Sequence, residues 1–408
     1  MHVLYFHQHF STPSGSTGTR SYEFAKRLIQ RGHDVTIVCG TYKGGDTGIT
    51  APFVSGRREG EVDRIKVIEF DYPYSNNDGL LRRTVIFFKY ASRSVLVLWQ
   101  ESYDLVFATS TPLTAGIPGI FARWFRRKPF VFEVRDLWPE LPRAMGAIRS
   151  PVLLWLMELL EWLSYHSANH IIGLSPGIEK GIEKRGVKKN KIRLVPNGCD
   201  LELFKPNGGN PLTFVELEES DHFVVFAGAH GLANGLDQLL SVAAELKKMD
   251  RPDINLLFIG EGSEKRELIR KAKVRGLDNC IFKDPVSKLE LVKIFHAADI
   301  GLMVLADIPA FYYGTSPNKF FDYISSGLPV INNYPGWLAE LIEQNSCGAV
   351  VAPGDCKQFA AKIIEICDDD IARGAMARSA RRLAESSFSR RQLSDDFVDV
   401  LERVGGSR

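Results

Sequence analysis

The sequence predicts an α/β protein made of two doubly wound, Rossmann-like domains that face a cleft. Short β-branched or aromatic runs alternate with helical patterns along the chain. This alternation stops once near residue 205 and then starts again. The chain has 408 residues, whereas a typical domain has about 150. Sheets of this kind bind ligands at the carboxyl ends of their strands.

The first domain is predicted over residues 1–204. Its first strand is HVLYFHQ, and a helix follows from about Ser21 to Arg31. The later strands are DVTIVCG, RIKVIEF, DLVFATS, FVFEVRD, HIIGLS and IRLVPNG. Because the N-terminus has no cationic start before a long apolar core, we interpret it as a strand rather than a signal peptide.

A segment rich in Pro, Gly and Asn, residues 205–220, is typical of a domain boundary. We therefore place the second domain at 205–385. Its strands are HFVVFAG, NLLFIGEG, CIFKDPV, DIGLMVL and PVINNY. Residues 386–408 have helical spacing of apolar residues, and we expect this helix to pack back on the first domain.

Composition excludes several classes of protein. Residues 1–200 carry 27 Lys and Arg against 19 Asp and Glu, which leaves 24 against 30 for the remainder. The positive charges are scattered, so no nucleic-acid partner is expected. The six cysteines form no C-x-x-C pair, which disfavours a zinc site or a disulfide framework. No run reaches the about 20 apolar residues of a spanning helix, and we expect a cytoplasmic protein.

The loop after the first strand, STPSGSTGTR, joins a strand to a helix. Gly15 and Gly18 permit close approach of the backbone, and the amides at a helix start attract anions. Gly18 is therefore a candidate ligand of a phosphate. An ordinary turn between a strand and a helix explains the same residues.

Two polar residues, Arg135 and Asp136, follow the strand FVFEV. An arginine in this place can bind phosphate or hydroxyl groups through two hydrogen bonds, and an aspartate can accept a sugar hydroxyl. We take both as candidate catalytic residues. A purely structural ion pair between them is the alternative.

The most informative segment is FYYGTSPNKFFDYISSGLPVI, residues 311–331. Lys319 near a helix start would meet a diphosphate with its charge, and Asp322, one turn later, would accept ribose hydroxyls. A simple salt bridge between Lys319 and Asp322 is the alternative. The turn Gly260-Glu261-Gly262 is a second candidate for a loop that faces a nucleotide.

Together these segments resemble, in order, the retaining glycosyltransferases of family 4, which have the GT-B fold. The resemblance covers nearly the whole chain and rests on RGHDV, VPNGCDLELFKP, IGEGSEKREL, DPVSKLELVKIFHAADIGL and the K-x-x-D helix with SSGLPVI. The segments HQHFSTP, FATSTPLTAG, FEVRDLWPE and TSPNKFFDYISSGLPV further resemble the subgroup that builds bacterial O-antigen and capsule.

The resemblance implies a nucleotide-sugar donor in the second domain and an acceptor in the first, with no metal and no other cofactor. Lys319, Arg20 and backbone amides would stabilise the leaving diphosphate. The donor is expected to be a UDP-linked hexose, N-acetylated or deoxygenated. The predicted donor-binding residues are Gly18, Arg20, Gly228, His230, Asn234, Glu261, Val286, Gly314, Thr315, Ser316, Asn318 and Asp322.

The chain departs from the family pattern at three places. The paired glutamates appear here as Gly314 and Asp322, so the carboxylate that contacts the donor sugar is missing. Ala229 and Asn234 stand where Arg and Lys often follow the first strand of the second domain, and Arg135 stands where a histidine is common. Gly314, Thr315 and Ser316 would then make the contacts to the donor sugar.

The acceptor implied by the subgroup is a sugar on polyprenyl diphosphate, at the inner face of the plasma membrane. His7 and His9 would contact it, although a role in the core explains them as well. Basic residues interleave with apolar ones at 82–96 and 124–128, which favours peripheral contact with an anionic membrane. A buried helix with a solvated rim is the alternative.

Two other functions are compatible with these residues. A nucleotide-sugar epimerase of related fold would bind the same ligands but needs acid and base groups that converge on the sugar. A non-catalytic subunit that binds a nucleotide sugar would keep the fold without transferring the sugar.

Overall fold

The computed structural model describes residues 1–75, 78–146, 148–205 and 221–406. The chain divides into two compact units. Unit 1 comprises Met1–Pro196, Tyr313–Ser316 and Arg391–Arg408, and unit 2 comprises Asn197–Tyr312 and Pro317–Arg390.

In its described residues before 196, unit 1 contains eight strands and six α-helices. The strands are β1 (His2–Phe6), β2 (Asp34–Tyr42), β3 (Arg57–Val62), β4 (Ile65–Tyr74), β5 (Leu105–Thr109), β6 (Phe130–Val134), β7 (His170–Gly173) and β8 (Ile192–Leu194). The helices are α1 (Arg20–Gln30), α2 (Leu80–Gln100), α3 (Gly116–Phe125), α4 (Glu140–Ala144), α5 (Pro151–Ser167) and α6 (Pro176–Lys184).

The sheet of unit 1 has the order β3-β4-β2-β1-β5-β6-β7-β8. All neighbours are parallel except β3 and β4, which form an antiparallel pair at one edge. The order reverses between β1 and β5, and in open α/β sheets the ligand lies at the carboxyl ends of the strands beside such a switch. The side chains that follow β1, β5 and β6 therefore lie where a sheet of this type binds its ligand.

The described part of unit 2 contains six strands and eight α-helices before the last helix of the chain, and the last two residues of α10 belong to unit 1. The strands are β9 (His222–Ala227), β10 (Ile254–Ile259), β11 (Cys280–Lys283), β12 (Ile300–Met303), β13 (Val330–Asn332) and β14 (Gly348–Val350). The helices are α7 (Asp237–Lys248), α8 (Lys265–Val274), α9 (Lys288–Ala297), α10 (Pro309–Gly314), α11 (Asn318–Ser325), α12 (Trp337–Gln344), α13 (Cys356–Asp368) and α14 (Asp370–Ser387).

The sheet of unit 2 is wholly parallel, with the order β11-β10-β9-β12-β13-β14. This is the doubly wound order of a Rossmann fold, with its switch between β9 and β12. The strand cores are apolar and buried, as expected for a sheet covered on both faces. The predicted fold class of two doubly wound domains is therefore confirmed.

Some elements differ from the sequence prediction. The strands β3 and β14 were not predicted, because β3 is polar and exposed in alternation and β14 has only three residues. The first unit ends at Pro196, whereas the predicted boundary is 204/205. The residues between them join unit 2 because Arg381 donates to the carbonyl oxygens of Leu201 and Phe204. Residues 206–220 of the predicted linker lie outside the described residues.

The last helix, α15 (Arg390–Gly406), belongs to unit 1 from Arg391 onward. The Phe397 ring stacks on Phe24 of α1 with centroids 4.2 Å apart. Arg27 of α1 and Arg31, which directly follows α1, form ion pairs with Asp395, and Arg31 also pairs with Glu402. The stacked rings and these ion pairs thus hold α15 against α1 and the residue that follows it.

Candidate functional site

The loops at the switch of unit 2 approach one another closely because three glycines lack a side chain. A Cβ atom on Gly260 would lie 1.9 Å from the carbonyl oxygen of Gly228, and one on Gly262 would lie 2.4 Å from that of His230. Gly228 and Gly260 also have φ values of 156° and 147°, which side chains rarely tolerate. These glycines thus allow the loops after β9 and β10 to pack closely against each other.

Lys319 of α11 extends to this switch. Its Nζ atom lies 3.9 Å from the centre of the Phe226 ring and donates to Asn234 Oδ1 at 3.1 Å. Asn234 in turn donates to the carbonyl oxygen of Ala229 at 2.7 Å. A Cβ atom on Gly228 would be 3.2 Å from Cε and Nζ of Lys319. The first loop of unit 2 therefore fixes the ammonium group beside the end of β9.

The charge of Lys319 is poorly compensated. Among the described residues, no carboxylate lies within ion-pair distance of it, and its ammonium has three donors but one hydrogen bond. Burial lowers the pKa of Lys319 to about 7. A partly buried cation of this kind gains from an anionic ligand that brings both charge and acceptors.

Asp322 does not pair with Lys319. Its Oδ1 atom lies 3.2 Å from Nζ of Lys288, in an orientation that gives no hydrogen bond. Lys288 also binds Asp200 at 2.6 Å, and Asp200 binds Arg390. Burial raises the pKa of Asp322, while Arg390 and Lys288 overcome the effect of burial on Asp200 and hold its pKa at about 2.

The alternative interpretation, a salt bridge between Lys319 and Asp322, is therefore not found in the described residues, since Asp322 pairs with Lys288 instead. Lys288 is a residue that sequence reasoning missed, although its segment was used for the resemblance. The Oδ1 atom of Asp322 keeps its capacity to accept a hydrogen bond.

The other predicted donor-binding residues of unit 2 have different environments. His230 is fully buried among Phe226, Phe258 and Phe282, and neither ring nitrogen has a hydrogen-bond partner in the described part of the chain. Burial lowers its pKa to about 4, so the ring is neutral.

Three of the remaining residues lie on loops or helix starts of unit 2. Glu261 is exposed between β10 and α8, and Val286 is partly buried between β11 and α9. Asn318 is the first residue of α11. The roles predicted for them in donor binding stay predictions.

Gly314, Thr315 and Ser316 belong to unit 1, whereas Lys319 belongs to unit 2. In unit 1, a Cβ atom on Gly177 of α6 would lie 1.7 Å from the carbonyl oxygen of Tyr313. Gly177 thus permits the segment 313–316 to pack against α6. The three residues thus share unit 1 with Gly18 and Arg20, whereas the other predicted donor-binding residues belong to unit 2.

Unit 1 brings a second group of polar residues to its own switch, directly after β1. His7 and Gln8 are buried. The His7 Nδ1 atom and both amide atoms of Gln8 have no hydrogen-bond partner among the described residues. Burial, and then the charge of Arg135, lowers the pKa of His7 and brings that of His9 to about 3. Buried polar groups without partners are rare and mark a place for a ligand or water.

His9 lies against aromatic rings that sequence reasoning missed. Its ring stacks on Tyr74 with centroids 4.5 Å apart, and Tyr42 and Phe87 lie at 5.0 and 6.3 Å. The Arg83 guanidinium lies over the Tyr74 ring at 5.7 Å. These residues come from three separate elements, so no local pattern in the sequence could group them.

Arg135 and Asp136 follow β6, beside the same switch. The Arg135 backbone nitrogen donates to Ser110 Oγ at 2.9 Å, which ties the end of β6 to the end of β5. No ion pair joins Arg135 to Asp136 in the described residues, and both are partly exposed. Burial raises the pKa of Asp136, and Arg135 opposes the rise. Both side chains are thus available to a ligand.

Arg20 has partners that do not support its predicted role at the donor diphosphate. Its guanidinium is 1% exposed, lies 2.8 Å from Glu133 and donates to the carbonyl oxygens of Val195 and Pro196. These contacts join α1, β6 and the end of unit 1, which is a structural function. Gly18, in contrast, is exposed in the loop before α1.

In the described residues, no group of three or more His, Cys, Asp or Glu side chains is arranged to hold a metal ion. No helix among them is long and apolar enough to cross a membrane.

Two family models match the chain, one on each half. A glycosyl transferase 4-like domain matches residues 15–198, and the glycosyl transferases group 1 model matches residues 213–383. The two matches together cover most of the chain.

Curated relatives are distant. The spore coat protein SA of Bacillus subtilis (strain 168) is 22% identical over 231 residues, 53% of this chain and 59% of that protein. The capsular polysaccharide biosynthesis glycosyltransferase CapM of Staphylococcus aureus is 22% identical over 72% of this chain and 76% of its own. The O-antigen chain mannosyltransferase C of Escherichia coli is 22% identical over 62% and 66%. The match spans only about half to three-fifths of the first relatives.

Solved structures share the fold over the whole chain. Sucrose-phosphate synthase from Thermosynechococcus elongatus has a TM-score of 0.78 at 17% identity and covers 100% of both chains. Anabaena HepE in complex with UDP has a TM-score of 0.68 at 18% identity, covering 99% of this chain and 100% of its own. WaaG, a glycosyltransferase of lipopolysaccharide biosynthesis, has 0.69 at 17%, covering 98% and 99%.

Proposed function

The chain belongs to the family 4 glycosyltransferases of GT-B fold, and we propose that it transfers a sugar from a nucleotide diphosphate to a lipid-linked glycan with retention of configuration. The donor we propose is a UDP-linked hexose, N-acetylated or deoxygenated. The acceptor is a sugar on polyprenyl diphosphate in the assembly of a bacterial surface polysaccharide.

The environment of Lys319 carries the proposal. A partly buried ammonium beside the switch of a Rossmann sheet suits a diphosphate when Asn234 holds it and no described carboxylate lies within ion-pair distance. Asp322, on the same helix, has an Oδ1 atom that pairs with Lys288 but accepts no hydrogen bond from the described residues, which suits a ribose hydroxyl. HepE, which shares the fold, is described in complex with UDP.

The proposed chemistry is electrostatic. When the bond between the sugar and the diphosphate breaks, negative charge grows on the leaving oxygen, and the Lys319 ammonium stabilises that charge. A preorganised cation is effective here because Asn234 and the Phe226 ring already hold it in place. We propose that no metal ion is needed for this step.

We propose that unit 1 binds the acceptor at the end of β1. Gln8 and His7 offer buried hydrogen-bonding groups that have no partner in the described chain, and His9, stacked on the buried Tyr74 ring, follows them. Arg135 and Asp136 follow β6 with no ion pair between them in the described residues, and would bind the acceptor's diphosphate and hydroxyl groups. The acceptor places the enzyme at the cytoplasmic face of the membrane, peripherally bound.

Thermal-shift measurements with UDP, GDP, TDP and ADP test the donor site. A ligand that binds the folded state raises the melting temperature. We expect a shift with UDP, a clearly smaller shift in Lys319→Met, and an unchanged shift in Lys357→Met. Lys357 is a matched control because it is exposed on α13 in the same unit. A selective shift with GDP would replace the proposed base, and no shift with any nucleotide would contradict the proposed donor site.

A transfer assay separates an enzyme from a binding subunit. With UDP-sugars and membrane lipid extract, we expect a new glycolipid whose anomeric configuration is that of the donor. UDP binding without hydrolysis or transfer would favour the non-catalytic alternative.

A further inference from the structure

Helix α5 exposes apolar residues where a surface helix normally exposes charged ones. Val152 and Trp155 are 66% and 60% exposed, and Leu156, Leu159 and Trp162 continue the same exposed stripe. These positions recur at intervals of three and four residues, so they lie on one side of the helix. Apart from Pro151 and His166, they are all the exposed residues of α5.

The two carboxylates of α5 are held by arginines. Glu161 is buried and lies 2.9 Å from the Arg185 guanidinium. Glu158 accepts a hydrogen bond from Arg143. The exposed stripe therefore carries no unpaired negative charge.

The neighbouring helices extend this surface. Helix α3 contacts both α2 and α5, and Trp124 of α3 donates to Ser167 Oγ of α5 at 2.9 Å. Large exposed aromatic side chains mark the α2–α3–α5 face: Phe88, Trp99, Trp124, Phe125, Trp155 and Trp162. Four of the six tryptophans of the chain are among them.

Positive charge surrounds the aromatic residues. Lys89, Arg126 and Arg127 are exposed, and none of them is ion-paired within the described ranges. The Arg126 guanidinium lies over the Trp99 ring at 5.9 Å. Tryptophan beside arginine and lysine is typical of the region where lipid headgroups meet acyl chains.

We propose that the α2–α3–α5 face inserts into the headgroup region of an anionic lipid bilayer, with α5 lying in the plane of the membrane. The apolar stripe enters the acyl boundary, and the basic side chains bind the anionic headgroups. A second copy of the chain fits less well, because a two-fold contact would bring the unpaired basic residues of both copies together. The inference agrees with the lipid-linked acceptor proposed above, but its test needs neither donor nor acceptor.

Sedimentation with vesicles tests the proposal on the full chain. The wild-type protein should bind vesicles of phosphatidylglycerol and phosphatidylcholine. The double variant Trp155→Glu/Leu159→Glu should bind at least about tenfold more weakly, since it loses apolar contact and adds repelled charge. Ile371→Glu is the control, because Ile371 is 85% exposed on α14 in unit 2. It should bind like the wild type.

Tryptophan fluorescence measures insertion of the helix into the bilayer separately from electrostatic attraction to its surface. Lipids brominated on the acyl chain should quench the wild-type protein, and Trp155→Phe/Trp162→Phe should reduce the quenching. Binding without quenching would overturn insertion. Equal vesicle binding by the wild type and Trp155→Glu/Leu159→Glu would refute membrane contact through this face. If the wild type is a dimer and this double variant a monomer, the face instead binds a second copy of the chain.

The UDP-induced thermal shift of the same variants keeps the two proposals apart. It should be unchanged in all of them, because the α5 variants leave unit 2 untouched and Ile371 is an exposed residue of α14 outside the proposed donor site. A protein that binds UDP but no vesicles would refute only the membrane proposal. Vesicle binding without any nucleotide shift would refute only the donor site.

Discussion

Replacing Lys319 with methionine is expected to weaken UDP binding and to remove most of its dependence on pH. Methionine has similar length and no charge, so it fills the space over Phe226 without the ammonium. The variant thus tests the charge and not the packing.

The size of the effect follows from the contacts of Lys319. A hydrogen bond to a charged group contributes about 1.5–3 kcal/mol, which corresponds to about 10- to 150-fold in affinity. The pKa of Lys319 is lowered to about 7 by burial. If UDP binds the protonated form, the affinity of the wild type should fall about 50-fold from about pH 7 to about pH 9, as the protonated fraction falls. Phosphate groups, with a second pKa near about 6, are already ionised over this range.

The lowered pKa of Lys319 also makes the free energy of unfolding depend on pH. The pKa of Lys319 in the folded protein is about 7, below the value of about 10.4 for an unfolded lysine. Between these values the unfolded chain binds more protons, so stability contributed at this site increases as the pH rises from 7 to about 10. At neutral pH the free Lys319→Met variant should therefore be more stable than the wild type, although it binds UDP more weakly.

Isothermal titration calorimetry with UDP at a series of pH values measures the affinity, and urea unfolding measures the stability. Lys357→Met serves as the control in both. If the wild type and Lys319→Met bind UDP with equal affinity, or if their affinities change equally with pH, the Lys319 ammonium does not contribute to UDP binding.

Further predictions concern buried charges and the two switches. Arg20→Met should lower the free energy of unfolding by about 3–5 kcal/mol in urea, because it leaves the Glu133 carboxylate buried and unpaired; unchanged stability with lost UDP binding would instead support a role at the diphosphate. The pKa of Asp200 is about 2 in the folded protein, so its stabilising effect should be present above about pH 4 and be lost as the pH falls toward 2, and acid titration of Asp200→Asn should lack this part. Gly260→Ala should lower the melting temperature, since its Cβ would lie 1.9 Å from the Gly228 oxygen. Tyr74→Ala should raise the KM for the acceptor and leave UDP affinity unchanged; a change in UDP affinity alone would contradict an acceptor site there.

The fold was predictable because its signals are local. Buried parallel strands need continuous apolar runs, and each predicted run became a strand, from HVLYF in β1 to VIN in β13. The strand β3 escaped prediction because RREGEV is a polar edge strand whose pairing with β4 depends on a neighbour rather than on its own pattern. The predicted end of unit 1, residue 204, lies after the observed end, Pro196, because Arg381, distant in sequence, donates hydrogen bonds to Leu201 and Phe204 and so joins them to unit 2.

The sequence by itself determined where the candidate site residues lie: after β1 and β6 in unit 1, and on the K-x-x-D helix of unit 2. Residue type and position after a strand suffice for that, since parallel strands present their carboxyl ends at one edge. Which groups meet there was decided by tertiary structure. Arg20 is next to a glycine-rich loop in sequence but is buried against Glu133, and Asp322 is one turn from Lys319 but pairs with Lys288. Partners of a buried charge are chosen by the packing of distant segments, because desolvation is offset only by groups that the fold brings within a few ångströms.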